Sequence, residues 1–182
     1  MFWKAVCDNL GTIIGVIGSI LGGVVGWWLN NLSRKGKISI FVDGINGKFQ
    51  DVEGSEVSSL EEADNFYYNP NIEIYNSSGD AKIMRDIKIV FWGENKELFV
   101  EIPYDKAFNH SWQIHKQVKA LNLPAKSTTS IELYGWIDKE NLSKVHNTKM
   151  VFLYYKDEND KQQTKLIEVK DYKTYEFYKG EE

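Results

Sequence analysis

Residues Leu10 to Leu29, LGTIIGVIGSILGGVVGWWL, run for 20 positions without one charged side chain. In a helix rising about 1.5 Å per residue they would extend roughly 30 Å, the thickness of the hydrocarbon core of a bilayer. Soluble helices this long normally keep one polar face, and this stretch has none. The pattern predicts a membrane-spanning helix over residues 10–32, and the rest of the chain must be read as what such an anchor carries.

Glycine placement adds a second constraint. Gly11, Gly15, Gly18, Gly22 and Gly26 follow one another at spacings of four, three, four and four. At about 100° per residue they fall within roughly 80° of arc, a single stripe. Ile13, Val16, Ile17, Ile20, Leu21, Val24, Trp27 and Trp28 cover the other faces. No hydrophobic force joins helices inside a bilayer, so close backbone approach through small residues is the usual basis of association. Gly18-x-x-x-Gly22-x-x-x-Gly26 resembles the glycine-zipper pattern of self-associating membrane helices, which implies a homo-oligomer. Only Thr12 and Ser19 bring side-chain polarity to the span.

The flanks fit an anchor that is retained. MFWKAVCDN lacks a strongly basic start, and WWLNNLS after the apolar run lacks a small-residue cleavage site. Trp3 on one side and Trp27 and Trp28 on the other suit the two membrane interfaces. Arg34, Lys35 and Lys37 form a basic juxtamembrane linker over residues 33–37, able to touch anionic lipid headgroups. They outnumber Lys4 and the terminal amine, so the positive-inside bias places the large C-terminal domain in the cytoplasm. Charge is unevenly divided: residues 1–37 carry +3, which leaves −7 on residues 38–182 out of the total of −4. So acidic a domain argues against sequence-independent nucleic-acid binding. The single cysteine, Cys7, excludes an intrachain disulfide framework and a cysteine-built zinc site.

From Ile38 onward the apolar residues come in short segments bounded by turn signals. Ile38–Val42 reads as a strand ended by Asp43-Gly44. Asn71–Tyr75, Lys82–Trp92, Leu98–Ile102, Gln113–Leu121, Thr128–Ile137, Lys149–Lys156, Lys165–Val169 and Lys173–Tyr178 are rich in Ile, Val, Tyr, Phe and Trp. Arg85, beside Met84, interrupts the alternation of its strand and marks a bulge or edge. Residues 49–81 hold eight acids and no Lys or Arg, and DVEGSEVSSLEEADN reads as a solvated acidic loop with one helical turn at Leu60–Asp64. Lys139–Val145 allows one short helix. The whole predicts an all-β sandwich over residues 38–182, preceded by a short segment over 1–9, the helix and the linker.

The segments NIEIYNSSGDAKIMRDIKIVF (71–91), LNLPAKSTTSIEL (121–133) and MVFLYYKDENDKQQTKLIEV (150–169) resemble, in order, the early strand pair, the edge turn with its following strand, and the closing hairpin of bacterial immunoglobulin-like or fibronectin-like sandwiches. The resemblance implies an Ig-like fold. It brings no catalytic residue with it, since such a fold hosts many functions.

Chemistry-bearing patterns are scarce. His110, His115 and His146 are scattered, and no His-Glu-x-x-His, Gly-x-Ser-x-Gly or phosphate-binding loop occurs. No enzyme activity, metal or cofactor is expected. Trp92, Trp112 and Trp136 read as core plugs, while Tyr67-Tyr68 and the terminal Tyr172, Tyr175 and Tyr178 offer either an ordinary sheet face or an outward surface for a protein partner. Asn76, Asn109 and Asn141 open glycosylation sequons to which a cytoplasmic domain gives no role. Two readings follow: a membrane-anchored module that self-associates and binds a protein partner, or an oligomeric pore or leak effector of a bacterial defence, toxin or phage-exclusion system with the sandwich as its regulator. The nearly apolar span favours the first.

Overall fold

The computed structural model describes residues 9–94, 96–108 and 115–169. The first element among the described residues is a helix, α1, over Leu10–Arg34. The strands that follow are β1 (Ile38–Gln50), β2 (Asn65–Asn76), β3 (Lys82–Trp92), β4 (Glu97–Glu101), β5 (Tyr104–Asp105), β6 (Ala120–Leu123), β7 (Ser127–Asp138), β8 (Met150–Lys156) and β9 (Gln162–Val169). They make two antiparallel sheets: β1-β2-β7-β5, and β4-β3-β8-β9 with β6 also paired to β3. The expected all-β sandwich behind an apolar helix is what the chain forms.

Alternation explains the core. In β2 the even positions Phe66, Tyr68, Ile72 and Ile74 are buried, and in β8 Val151, Leu153 and Tyr155 are. Successive strand residues face opposite sides, so each strand sends one set of apolar side chains inward. The rings of Phe49, Phe66, Phe91 and Tyr68 form a chain across the gap, with Phe49 4.9 Å from Phe66 and Tyr68 edge-on to Phe91 at 5.5 Å. Gly135, opposite Tyr68 in the register, leaves room for that ring: a Cβ there would lie 2.4 Å from the Tyr68 hydroxyl.

Several boundaries differ from the sequence reading. β1 does not stop at Asp43-Gly44, because Gly44 adopts φ +104° and absorbs a bulge between Val42 and Ile45. β2 begins six residues early and runs through Pro70. Asp86, at φ 51°, shifts the register between Arg85 and Lys88, where the sequence hinted at a bulge. Of the strand expected over Gln113–Leu121, only Ala120 and Leu121 lie in a strand, β6, and Gln117 makes a single bridge to Tyr104; residues 113 and 114 lie outside the described residues. The acidic loop carries one turn closed by Ala63 N–H donating to Leu60 O, and it is not wholly solvated, since Val57 and Ala63 are buried. The short helix is a 3-10 turn over Lys139–Asn141 leading into α2, Leu142–His146, which buries Leu142 and Val145.

Candidate functional site

Two surfaces stand out, the helix and a ring cluster toward the end of β2 and β7 remote from it. The first is α1 itself. Its 25 residues would extend about 37 Å. It is long and apolar enough to cross a membrane, with a mean hydropathy of 1.9 over its most apolar window, none of it buried. A Cβ built at Gly11, Gly15, Gly18, Gly22 or Gly26 would meet nothing within 4 Å, so the stripe faces open space. Trp27 and Trp28 are exposed as well. The hydroxyl of Ser19 donates to Gly15 O at 2.9 Å and is satisfied within the helix.

The junction is closed by hydrogen bonds. Gly79 N–H donates to Ser33 O and Ser78 Oγ to Arg34 O, both at 2.8 Å, so the sandwich supplies donors to carbonyls that a helix end leaves orphaned. Arg34 Nε meets Asp80 Oδ2 at 2.7 Å. Lys37 exchanges bonds with Ser77, and Gly36 is pressed so close that a Cβ would lie 2.2 Å from Ser78 N. Behind this sits Asn76, fully buried: its Nδ2 donates to Asp80 O, Leu123 O and Pro124 O, and its Oδ1 accepts from Ser78 N–H. Residues 33–37 thus include the helix end and its dock; Lys35 and Lys37 remain exposed. Burial also closes the Asn76 sequon.

The second surface is aromatic. Tyr67 and Trp136 are register partners on the outer side of β2 and β7. Trp136 stacks on Tyr104 with centroids 5.0 Å apart and planes 5° from parallel, and His115 stands edge-on to it at 4.8 Å. Tyr134 lies beneath, its hydroxyl 2.8 Å from His115 Nδ1. Burial first, and Tyr67 next, push the Tyr134 hydroxyl above its ordinary range. The expectation that Trp136 plugs the core is corrected: its parity on β7 turns it outward, opposite to Leu133 and Ile137. Trp92 likewise is half-buried, edge-on to Phe152 at 6.3 Å on the other sheet. Trp3, Trp112, Tyr172, Tyr175 and Tyr178 lie outside the described residues. The aromatic cluster was missed because its members come from β2, β5, β7 and residue 115, which only the register brings together. Beneath it, on the inner side, Glu101 is pushed above the usual carboxylate range by burial and then by Asp138.

Residues 36–168 match the YopI Ig-like domain. The chain belongs to this family. A YopI-family relative, the SPbeta prophage-derived uncharacterized protein YopI of Bacillus subtilis (strain 168), is 30% identical over 168 residues, 85% of this chain and 94% of that protein. The YopI match begins at Gly36, the residue pressed against Ser78, and so takes in the sandwich side of the dock but not α1 with Ser33 and Arg34. Among solved structures, the ApaA protein of Bordetella pertussis is 11% identical with a TM-score of 0.37, covering 73% of this chain and 89% of that one. The ycdA protein of Bacillus subtilis is 14% identical with a TM-score of 0.41, covering 77% and 40%. Likeness at that level carries no argument about function.

Proposed function

We propose that the chain is a single-pass membrane protein that self-associates through the glycine stripe of α1 and holds its Ig-like domain at the cytoplasmic face to bind a protein partner, with no catalysis of its own. The observation that carries this reading is α1: none of its apolar window is buried against the sandwich, yet its last carbonyls are bonded into the sandwich. A helix so placed needs apolar surroundings from outside its own domain, and a bilayer with a second helix on the glycine side supplies them. The pore reading has less support, since the Ser19 hydroxyl is bonded to its own helix and little polarity is left to line a channel.

Gly22→Ile tests the association. A branched side chain at the centre of the stripe should lower the cross-linked oligomer fraction while membrane insertion is unchanged, and Ile20→Val, about 160° away around the helix, should leave both intact. Equal oligomer yields from the two variants would show that the stripe is not the contact. Dye leakage on expression of the unaltered chain would instead favour the pore.

A further inference from the structure

We propose, building on the interaction-module reading, that the free edge of β7 at Thr128–Glu132 is a strand-addition site for an extended peptide segment with alternating basic and apolar side chains. β7 spans twelve residues, but β5 pairs only with Tyr134 and Leu133 before the chain turns into the 3-10 helix Lys106–Phe108. The hydrogen-bond parity of the remainder follows from two observations. Asp105 N–H donates to Lys116 O and Pro103 O accepts from Val118 N–H, so residues 103 and 105 face the 116–118 segment and Tyr104 faces Tyr134. Pro70, opposite Leu133, has no N–H, and Asn69 Nδ2 donates to Leu133 O at 2.9 Å in its place. Leu133 therefore faces β2 and Tyr134 faces β5.

By alternation, Thr128, Ser130 and Glu132 point their N–H and C=O groups to the edge that β5 leaves open. Among the described residues no strand pairs with them there. A groove of about 490 Å³ runs along this edge, lined by Thr129, Ser130, Ile131 and Glu132 on one side and by Asp105 and Lys106 on the other. Thr128 O accepts a bond from Ser127 Oγ at 3.3 Å; the donors and acceptors of Ser130 and Glu132, beside an open groove, are the template that peptides use when they add a strand to a sheet.

The lining states the chemistry of the occupant. Ile131 is buried and points inward, so an added strand finds an apolar neighbour at the centre of its inward face, with Thr129 beside it. The other side chains would meet Ser130 and Glu132, while Asp105, the register partner of Leu133, stands on the Ile131 side. Lys106 is held by Glu132 at 2.9 Å, which leaves the groove with a net negative charge. A second copy would bring another domain of charge −7 to the same edge, so a basic segment is the better match.

The test uses the full chain in lipid nanodiscs and a fluorescent nonapeptide alternating lysine and valine. The peptide should bind, slow hydrogen exchange across residues 127–133, and lose affinity about five-fold in Ser130→Pro, the worth of one backbone hydrogen bond. Glu132→Lys should weaken it by at least as much, and it keeps the proposal testable if the proline disturbs the sheet. An analogue of equal charge with N-methylated backbone amides should not bind. Equal binding of that analogue would reduce the effect to charge and overturn the site. Slow exchange at Ser130 and Glu132 without peptide would overturn it in favour of cover by residues 109–114. A dimer dissolved by Ser130→Pro would overturn it in favour of self-pairing. If the peptide fails while cross-linked partners of the full chain persist in Ser130→Pro, the edge proposal alone falls; if partner cross-links are absent altogether, the module reading falls with it.

Discussion

Asn76→Ala should destabilise the domain by about 3 kcal/mol, because a single buried amide ties together two loops, β2–β3 and β6–β7, at the end of the sandwich where α1 docks. Nδ2 donates to Asp80 O at 2.9 Å, Leu123 O at 3.1 Å and Pro124 O at 3.0 Å, while Oδ1 accepts from Ser78 N–H at 3.0 Å. A typical net hydrogen bond contributes about 1 kcal/mol, and each buried group left unpartnered costs roughly 1–3 kcal/mol. Two amide protons shared over three carbonyls, plus the stranded Ser78 N–H, bring the sum to about 3 kcal/mol, a large share of the roughly 5–15 kcal/mol typical of a domain. Thermal unfolding should shift down by about 10 °C in a domain of this size. Asn76→Asp should be worse, since a carboxylate would face three carbonyl oxygens, and it should recover partly in acid as that carboxylate protonates. Urea denaturation of the detergent-solubilised chain, followed by tryptophan fluorescence, reads both variants. A loss below about 1 kcal/mol for both, or an Asp variant as stable as the Ala variant at neutral pH, would refute the assignment of Asn76 as the tie between the loops.

Gly135→Ala should cost about 1–3 kcal/mol in the same assay, because the new Cβ overlaps the Tyr68 ring and the gain from a stiffer unfolded chain is at most about 1 kcal/mol. Glu101 has a raised pKa, so the folded state holds its proton more tightly than the unfolded state, and stability falls as pH rises from the ordinary value of 4.5 through the raised one. Glu101→Gln should therefore gain stability relative to the native chain at pH 7 and not at pH 4; an equal difference at both would remove burial as the cause. Asn159→Cys, in a Cys7→Ser background, should resist a membrane-impermeant thiol reagent in intact cells and react after lysis. Labelling of intact cells would reverse the orientation drawn from Arg34, Lys35 and Lys37.

Local chemistry made much of this protein legible in one dimension. An uncharged run, a glycine stripe and a basic flank are properties of consecutive residues, and the helix over Leu10–Arg34 follows from them. Strands β3 and β8 were readable for the same reason, since alternation is local, and so was the sandwich they belong to. Which face of a strand turns inward is not local. Tyr67 and Tyr68 are neighbours of one type; the register with Trp136 and Gly135 sends one to a half-buried ring cluster on the outer face and the other to full burial. Asn76 opens a sequon to which the local sequence assigns no role, and it is buried because loops from residues 80 and 123–124 close over it. The open edge of β7 arises because its partner strand stops after two residues, a fact about pairing between segments some thirty positions apart. Composition decided that there would be a helix and two sheets. Only the tertiary structure decided which donors and rings those sheets leave facing outward, because that depends on register, and register is settled by contacts between distant strands.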